Sequence, residues 1–215
     1  MPDTPDNEKT MKMQNNIVIA LTDILENRNK ETSGHIERVI KYQKLLIDAM
    51  KKHGTYINDL KALDLDMLNF SARLYDIGKI FIPQAILNKH DKLTNNEFDI
   101  IKTHALEGER IIDQIASRTK ADSDFLRYAK LYAGYHHERW DGNGYPRRLD
   151  RLNIPIQGRI MSVIDVYDAL VSERPYKKPF TPEEAVKIIM DSTGEMFDPL
   201  IVDVFYEVKE QFFNV

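Results

Sequence analysis

The chain has 215 residues, of which 42% are hydrophobic, so it is long enough to bury one sizeable core. Its 30 Lys and Arg residues against 34 Asp and Glu residues leave a formal net charge of −4, so no global basic field exists to hold long nucleic acid and any anionic ligand must be captured locally. The absence of cysteine excludes disulfides, thiolate metal sites and a cysteine nucleophile. Any metal chemistry must therefore use nitrogen and oxygen ligands.

The N-terminal segment MPDTPDNEKTMKMQNN is polar and lacks the apolar core of a signal peptide. No run of the sequence approaches the roughly 18 to 20 apolar residues that a membrane span needs. We therefore expect a cytoplasmic protein without a membrane span. Residues 1–12 contain two prolines and offer little to pack against a core, so we expect them to fray and residues 13–215 to form one domain, although two small domains would also fit this length.

Apolar residues recur mostly at spacings of three and four, as in Ile17, Leu21 and Ile24, which is typical of amphipathic helices. Strand-like alternation is nearly absent. Thr94 and Thr181 are predicted helix caps, the latter followed by proline at the first helical position. The sequence therefore predicts an all-α, single-domain bundle of roughly eight helices. Besides the two N-terminal ones, the predicted helices lie at about 56–75, 94–117, 122–136, 155–172, 181–191 and 198–213.

Four of the six histidines fall in marked places. They are His35 at a helix start, His104 inside a helix, and His136 and His137 side by side at a helix end. Asp76 and Asp165 each lie in an otherwise apolar helical run, where an unpaired carboxylate would be costly to bury. Imidazoles mixed with carboxylates suit iron, manganese or zinc better than magnesium or calcium. The cluster could hold two ions, with a carboxylate bridging them.

Six segments of the chain resemble, in order and spacing, the successive motifs of the HD-GYP family. They are ETSGHIERV, LYDIGKIFIPQAILNK, KLTNNEFDIIKTHALEGERII, HHERWDGNGYP, GRIMSVIDVYDALVSERPYKK and GEMFDP. The resemblance runs from about residue 15 to the C-terminus and implies a helical bundle of the HD type that stands alone, without the regulatory N-terminal domain common in the family. It also implies a phosphodiesterase that opens cyclic di-GMP at a two- or three-metal site, giving linear pGpG or going on to GMP.

The resemblance assigns roles residue by residue. Asp76 is expected to bridge two metals, and Lys79 to face the metal-bound phosphate or hydroxide. Tyr145 is expected to contact the substrate, while Arg174 and Lys177 grip its phosphates. The implied metal ligands are Glu31, His35, Asp76, His104, His136, His137 and Asp165. Gly144 and Pro146 belong to the GYP loop, and Asp168, one turn after Asp165, is a predicted hydrogen-bond partner for a ligating histidine.

Tyr75 departs from the family pattern, because it stands where the family carries the histidine of its HD pair. A phenol must lose a proton with a pKa near 10 before it can bind a metal, whereas an imidazole binds neutral. Tyrosinate can bind ferric iron, so ligation stays open. The alternative is that Tyr75 packs beside the site while its hydroxyl bonds a ligand or water. We expect two transition-metal ions rather than three, with iron favoured and manganese next.

Three functions compete on these observations. The first is a metal-dependent cyclic di-GMP phosphodiesterase weakened by Tyr75, and the second is a catalytically degenerate cyclic-dinucleotide receptor or signalling scaffold that keeps the fold and metals. The third is an HD-type phosphohydrolase acting on another nucleotide. Retention of Asp76, Lys79, the paired histidines, Tyr145 and Arg174 favours the first, because a pure scaffold has no chemical need for all of them. Replacement of a family ligand by Tyr75 favours the second. A signalling protein is a further predicted partner.

Overall fold

The computed structural model describes residues 5–29, 34–120, 123–173 and 178–215. Within these ranges the fold is all-α, as predicted, and two isolated bridges, Asp141 with Asp150 and Thr193 with Phe197, are the nearest approach to a strand. Three short 3₁₀ helices lie at Ala72–Leu74, Ile77–Phe81 and Arg151–Asn153. The described α-helices are α1 (Pro5–Asn29), α2 (His35–His53), α3 (Ile57–Lys61), α4 (Leu65–Ser71), α5 (Gln84–Leu87), α6 (Asn95–Thr119), α7 (Asp124–Tyr135), α8 (Ile156–Val171), α9 (Pro182–Asp191) and α10 (Pro199–Phe212).

The predicted caps are confirmed by side-chain hydrogen bonds. Thr94 caps α6 in a capping box with Glu97, and Thr181 caps α9 in a second one with Glu184. Pro182 occupies the first position of α9, where its missing N–H costs no helical hydrogen bond. Each cap needs only residues within one helical turn, which is why the sequence is sufficient to place it.

The single helix predicted at about 56–75 is wrong, because the segment is divided into α3, α4 and the 3₁₀ turn Ala72–Leu74. The carboxylate of Asp64 accepts hydrogen bonds from the backbone N–H groups of Asp66 (3.1 Å) and Met67 (3.0 Å). This side chain therefore starts a new helix within an apolar pattern that reads as continuous.

The longest described helices, α1 and α6, have 25 residues each. No described helix is apolar over a stretch long enough to cross a membrane. The cytoplasmic location stays a prediction. So does the fraying of residues 1–12, although α1 begins at Pro5, inside that segment.

The main core lies between α2, α8, α9 and α10, with α4 and α7 closing it. Four aromatic rings meet at its centre: Tyr42 stacks on Phe212 with centroids 4.8 Å apart, and Tyr167 meets Phe205 edge-on at 5.6 Å. A smaller core joins α6 and α7 to the 3₁₀ helices. The start of α2, the end of α7 and the middles of α6 and α8 converge between these two cores.

Gly78 lets the 3₁₀ helix Ile77–Phe81 pack directly on α6. A Cβ atom at this position would lie 1.9 Å from the carbonyl oxygen of His104 and 2.5 Å from the backbone nitrogen of Gly108. Both atoms belong to a helix backbone and cannot rotate away. The contact therefore sets the distance between Asp76, two residues earlier, and His104.

Gly78→Ala is expected to destabilise the fold by about 2 kcal/mol, since overpacking against backbone forces the two elements apart. Gly54→Ala is the matched control, because Gly54 has a φ of +85° but no atom within 4 Å of the added Cβ. That control should cost only about 1 kcal/mol of left-handed strain. Urea unfolding followed by circular dichroism measures both, and equal losses would contradict the packing argument.

Candidate metal centre

Six of the seven predicted metal ligands converge in the folded chain. Within each of two groups, one ligand atom per residue lies within 4.8 Å of the others. The first group is His104, His136 and His137, and the second is His35, Asp76 and Asp165. Glu31, the seventh predicted ligand, lies outside the described residues. α2 contributes one ligand from its first residue, and α6 and α8 contribute one each from their middles. The paired histidines follow directly after α7, and Asp76 directly precedes the 3₁₀ helix Ile77–Phe81.

The rings of His104 and His136 are held so that one nitrogen of each faces the centre. His104 Nδ1 donates to the carbonyl oxygen of Ile101 (2.6 Å), and His136 Nδ1 donates to that of Tyr132 (2.9 Å). In a neutral ring this leaves the lone pair on Nε2, and the two Nε2 atoms face each other at 3.2 Å. Metal-binding histidines are commonly oriented by such carbonyl contacts.

Asp76 completes this arrangement. Its Oδ1 lies 3.3 Å from His104 Nε2 and 3.7 Å from His136 Nε2, and no described residue gives this buried atom a hydrogen bond of good geometry. Its Oδ2 forms an ion pair with Lys79 Nζ at 2.7 Å. With both rings neutral, two nitrogen lone pairs and a carboxylate oxygen would thus face one another. This donor set fits a borderline cation.

The electrostatics favour the ligand forms of several groups. Burial lowers the pKa of His104 to about 4 and that of His137 well below its usual range, so both rings are neutral at pH 7. Burial opposes ionisation of Asp76, but Lys79 and the neighbouring histidines hold its pKa well below the ordinary value. Burial and then the charge of Asp76 raise the pKa of Asp165.

Tyr75 lies inside the second group and is fully buried. Its hydroxyl oxygen lies 2.5 Å from His35 Nε2, and the hydroxyl donates to Asp165 Oδ1 at 2.9 Å. His35 Nδ1 in turn donates to Asp168 Oδ2 at 2.7 Å. The phenol oxygen therefore bonds two predicted metal ligands directly, which is the kind of contact that the second alternative expects of its hydroxyl.

Asp168 is the predicted partner of a ligating histidine, and its contact is with His35. Arg38 Nε also binds its other carboxylate oxygen at 2.7 Å. Burial opposes ionisation of Asp168, but its bonds to His35 and Arg38 lower its pKa to about 2. A charged Asp168 orients the His35 ring, as carboxylates do for histidines at metal sites.

A cavity of about 590 Å³ opens beside the centre, with His136, His137 and Asp165 in its wall. Tyr145 also lines it and stacks on His137 with ring centroids 4.7 Å apart. Gly144 lies so close to the chain that a Cβ atom would be 2.4 Å from the backbone nitrogen of Arg139. The Tyr145–Pro146 peptide bond is cis. The GYP loop thus forms one wall of the cavity, while Arg174 and Lys177 lie outside the described residues.

Two residues of this loop, Glu138 and Arg148, are not among the residues predicted from the sequence. Glu138 is only 2% exposed, and its carboxylate accepts hydrogen bonds from the backbone N–H groups of Arg147 (2.7 Å) and Leu149 (3.0 Å). Arg148, between them, lines the cavity. A glutamate directly after two histidines was the available signal, but its partners lie nine and eleven residues away in an irregular loop.

Comparisons with known proteins identify the family of this chain. The family model described as "HD domain" matches residues 20–201. A Vibrio cholerae protein named "Cyclic di-GMP phosphodiesterase" is 40% identical over 195 residues, which cover 91% of this chain and 39% of that protein. A protein of that name from Thermotoga maritima is 38% identical over 190 residues, or 88% and 48% of the two chains. The chain thus spans less than half the length of these relatives.

A further relative is named for a different cyclic dinucleotide, and a solved structure shares the fold. The Vibrio cholerae "3'3'-cGAMP-specific phosphodiesterase 2" is 35% identical over 199 residues, covering 93% of this chain and 35% of that protein. Bd1817, an HDG"Y"P protein from Bdellovibrio bacteriovorus, superposes with a TM-score of 0.56 at 20% identity, over 82% of this chain and 52% of that one, and supports the fold alone. The sequence motifs, the matched family model and these relatives together show that this chain belongs to the HD domain family and is of the HD-GYP type.

Proposed function

We propose that this chain is a phosphodiesterase that hydrolyses cyclic di-GMP at a centre of two transition-metal ions. The observation that carries the proposal is the donor set of the centre: His104 Nε2, His136 Nε2 and the buried Asp76 Oδ1 face one another beside a cavity of nucleotide size. The names of relatives at about 40% identity support the substrate class.

Two positions would hold the ions. His104, His136 and His137 would hold one, His35 and Asp165 the other, and Asp76 would contact both. Iron is the first candidate and manganese the second, because the donors mix imidazole with carboxylate. Such ions, when bound, polarise a phosphoryl oxygen and lower the pKa of water.

The chain's own residues bind and orient the substrate. In the reaction, the oxygen of water forms a bond to phosphorus while the bond from phosphorus to the ribose 3′ oxygen breaks. One proton of water ends on that 3′ oxygen, and the other passes to solvent from the new phosphate. Lys79 places its ammonium within 2.7 Å of Asp76, at the centre, where it stabilises negative charge on the phosphoryl group. The product is linear pGpG, and a second cleavage gives GMP.

The test is turnover by the purified chain reconstituted with iron(II) without oxygen, or with manganese(II). Cyclic di-GMP should be consumed and pGpG or GMP should appear by chromatography, together with about two metal ions per chain by elemental analysis. A parallel assay with 3'3'-cGAMP separates the substrates named for the relatives. Metal-loaded protein that leaves every cyclic dinucleotide intact would contradict the proposal.

A second candidate function is a cyclic-dinucleotide receptor without turnover. One observation favours it: the Tyr75 hydroxyl bonds His35 and Asp165, the two residues that would otherwise hold the second ion. Calorimetric binding of cyclic di-GMP by metal-loaded protein that does not consume it would establish this function over the first.

A further inference from the structure

Arg148 lines the cavity with its backbone in a conformation that arginine rarely adopts. Its φ is +56°, in the left-handed region where a Cβ atom is unfavourable. The same cavity is lined by His136, His137 and Asp165 of the candidate metal centre. A strained residue beside a reactive centre persists only where the surrounding structure holds it.

The neighbouring residues hold Arg148 in this conformation. The buried carboxylate of Glu138 accepts the N–H groups of Arg147 and Leu149, one on each side of Arg148. The side chain of Arg147 pairs with Glu109, and its guanidinium lies 4.6 Å from the ring centroid of Tyr135. The two consecutive arginines therefore have separate surroundings, since Arg147 is held by Glu109 and Arg148 lines the cavity.

The charge of Arg148 is uncompensated within the described part of the chain. The other lysine and arginine side chains of the cavity wall have carboxylate partners: Lys102 pairs with Asp99 at 2.5 Å, and Arg139 with Asp141 at 2.7 Å. No ion pair or side-chain hydrogen bond joins Arg148 to a described residue. Its planar guanidinium is thus available for an external anion, and its geometry matches two phosphate oxygens.

We propose that Arg148 binds the phosphate of the cyclic dinucleotide that is not being cleaved. This inference rests on the proposed function, under which the metal centre holds the phosphate that is cleaved. A cyclic dinucleotide carries a second phosphate on the opposite side of its ring. The cavity joins Arg148 to the centre, and its volume of about 590 Å³ is within the range for sites that enclose such ligands.

Arg148→Gly and Arg151→Gly form a matched pair of variants. Both arginines are exposed, lie in the same loop and have positive φ values of 56° and 47°, so glycine fits either position without strain. Each substitution removes one positive charge. Only Arg148 belongs to the cavity wall. The pair therefore separates contact with the ligand from the effects of loop strain and net charge.

The measurement is kcat/KM for cyclic di-GMP relative to that for bis(p-nitrophenyl) phosphate, a probe with a single phosphate, using metal-loaded full chain. Arg148→Gly should lower this ratio by about 10- to 100-fold, the effect of losing a charge-assisted hydrogen bond. Arg151→Gly should keep the ratio within about twofold of the native value. Arg148→Lys should recover part of the loss, because it restores the charge without the planar fork.

A ratio unchanged by Arg148→Gly, or lowered equally by Arg151→Gly, would overturn the inference while leaving the proposed function in place. Native protein that cleaves the single-phosphate probe but neither binds nor cleaves cyclic di-GMP would overturn the proposed function and this inference with it. The two failures are distinguishable because the first requires turnover of cyclic di-GMP by the native chain.

Discussion

Asp76→Ala is expected to remove most of the bound metal and to lower turnover of cyclic di-GMP by at least about 100-fold. The loss of a residue that only hydrogen-bonds to a metal ligand already lowers metal affinity or activity by about 10- to 100-fold. The physical reason is its position: Asp76 Oδ1 faces the Nε2 atoms of His104 and His136, and Asp76 also belongs to the group with His35 and Asp165. Its removal deprives both proposed ions of a shared negative ligand. Elemental analysis and the chromatographic assay measure the two effects.

Tyr75→Phe is the control for this prediction. It removes the hydroxyl bonded to His35 and Asp165 and keeps the buried ring. Metal content should fall less than in Asp76→Ala, because a hydroxyl that hydrogen-bonds to metal ligands does not itself bind the metal. Equal losses in the two variants would show that Tyr75 binds metal, and thermal unfolding of both would separate loss of metal from loss of fold.

Tyr75→His is expected to raise metal content, turnover or both above the native level, with turnover increasing by roughly tenfold or more. A phenol with an ordinary pKa near 10 must be deprotonated at a cost of about 4 kcal/mol at pH 7 before it ligates, whereas a neutral imidazole needs no deprotonation. The position is suited to a ligand, since the side chain already reaches between His35 Nε2 and Asp165 Oδ1. The substitution also removes the hydroxyl that now bonds both.

Metal type is measured together with metal content in this experiment, because an added nitrogen ligand also changes the preference among iron, manganese and zinc. Native chain, Tyr75→Phe and Tyr75→His are purified after the same growth with ample iron and manganese. Unchanged metal content, metal type and turnover in Tyr75→His would favour the receptor over the phosphodiesterase, because the centre would then differ from its family by more than one ligand.

The helix caps and the ligand set are the parts that sequence reasoning could supply. Thr94 with Glu97 and Thr181 with Glu184 are contacts three residues apart, so the local pattern contains both partners. The six described ligands were placed by resemblance to family motifs and lie near one another in the fold. Their role in binding metal stays a prediction, as do the roles of Glu31, Arg174 and Lys177, which lie outside the described residues.

The wrong prediction of a single helix at about 56–75 has a local cause that hydrophobic periodicity does not detect. Asp64 competes for the backbone N–H groups of Asp66 and Met67, so one polar side chain divides an apolar pattern into two helices. Periodicity reports which face of a helix is buried, and that face continues across the break.

The sequence by itself determined an all-α chain, the caps of α6 and α9, and a set of imidazoles and carboxylates suited to borderline metals. Only the tertiary structure decided what Tyr75 does, since its hydroxyl bonds Asp165, which is 90 residues away, while its other partner His35 bonds Asp168 across 133 residues. It likewise decided that Glu138 holds the backbone on both sides of Arg148. Local pattern specifies elements because helical contacts span three or four residues, whereas the centre is assembled from side chains whose neighbours are set by the packing of separate helices.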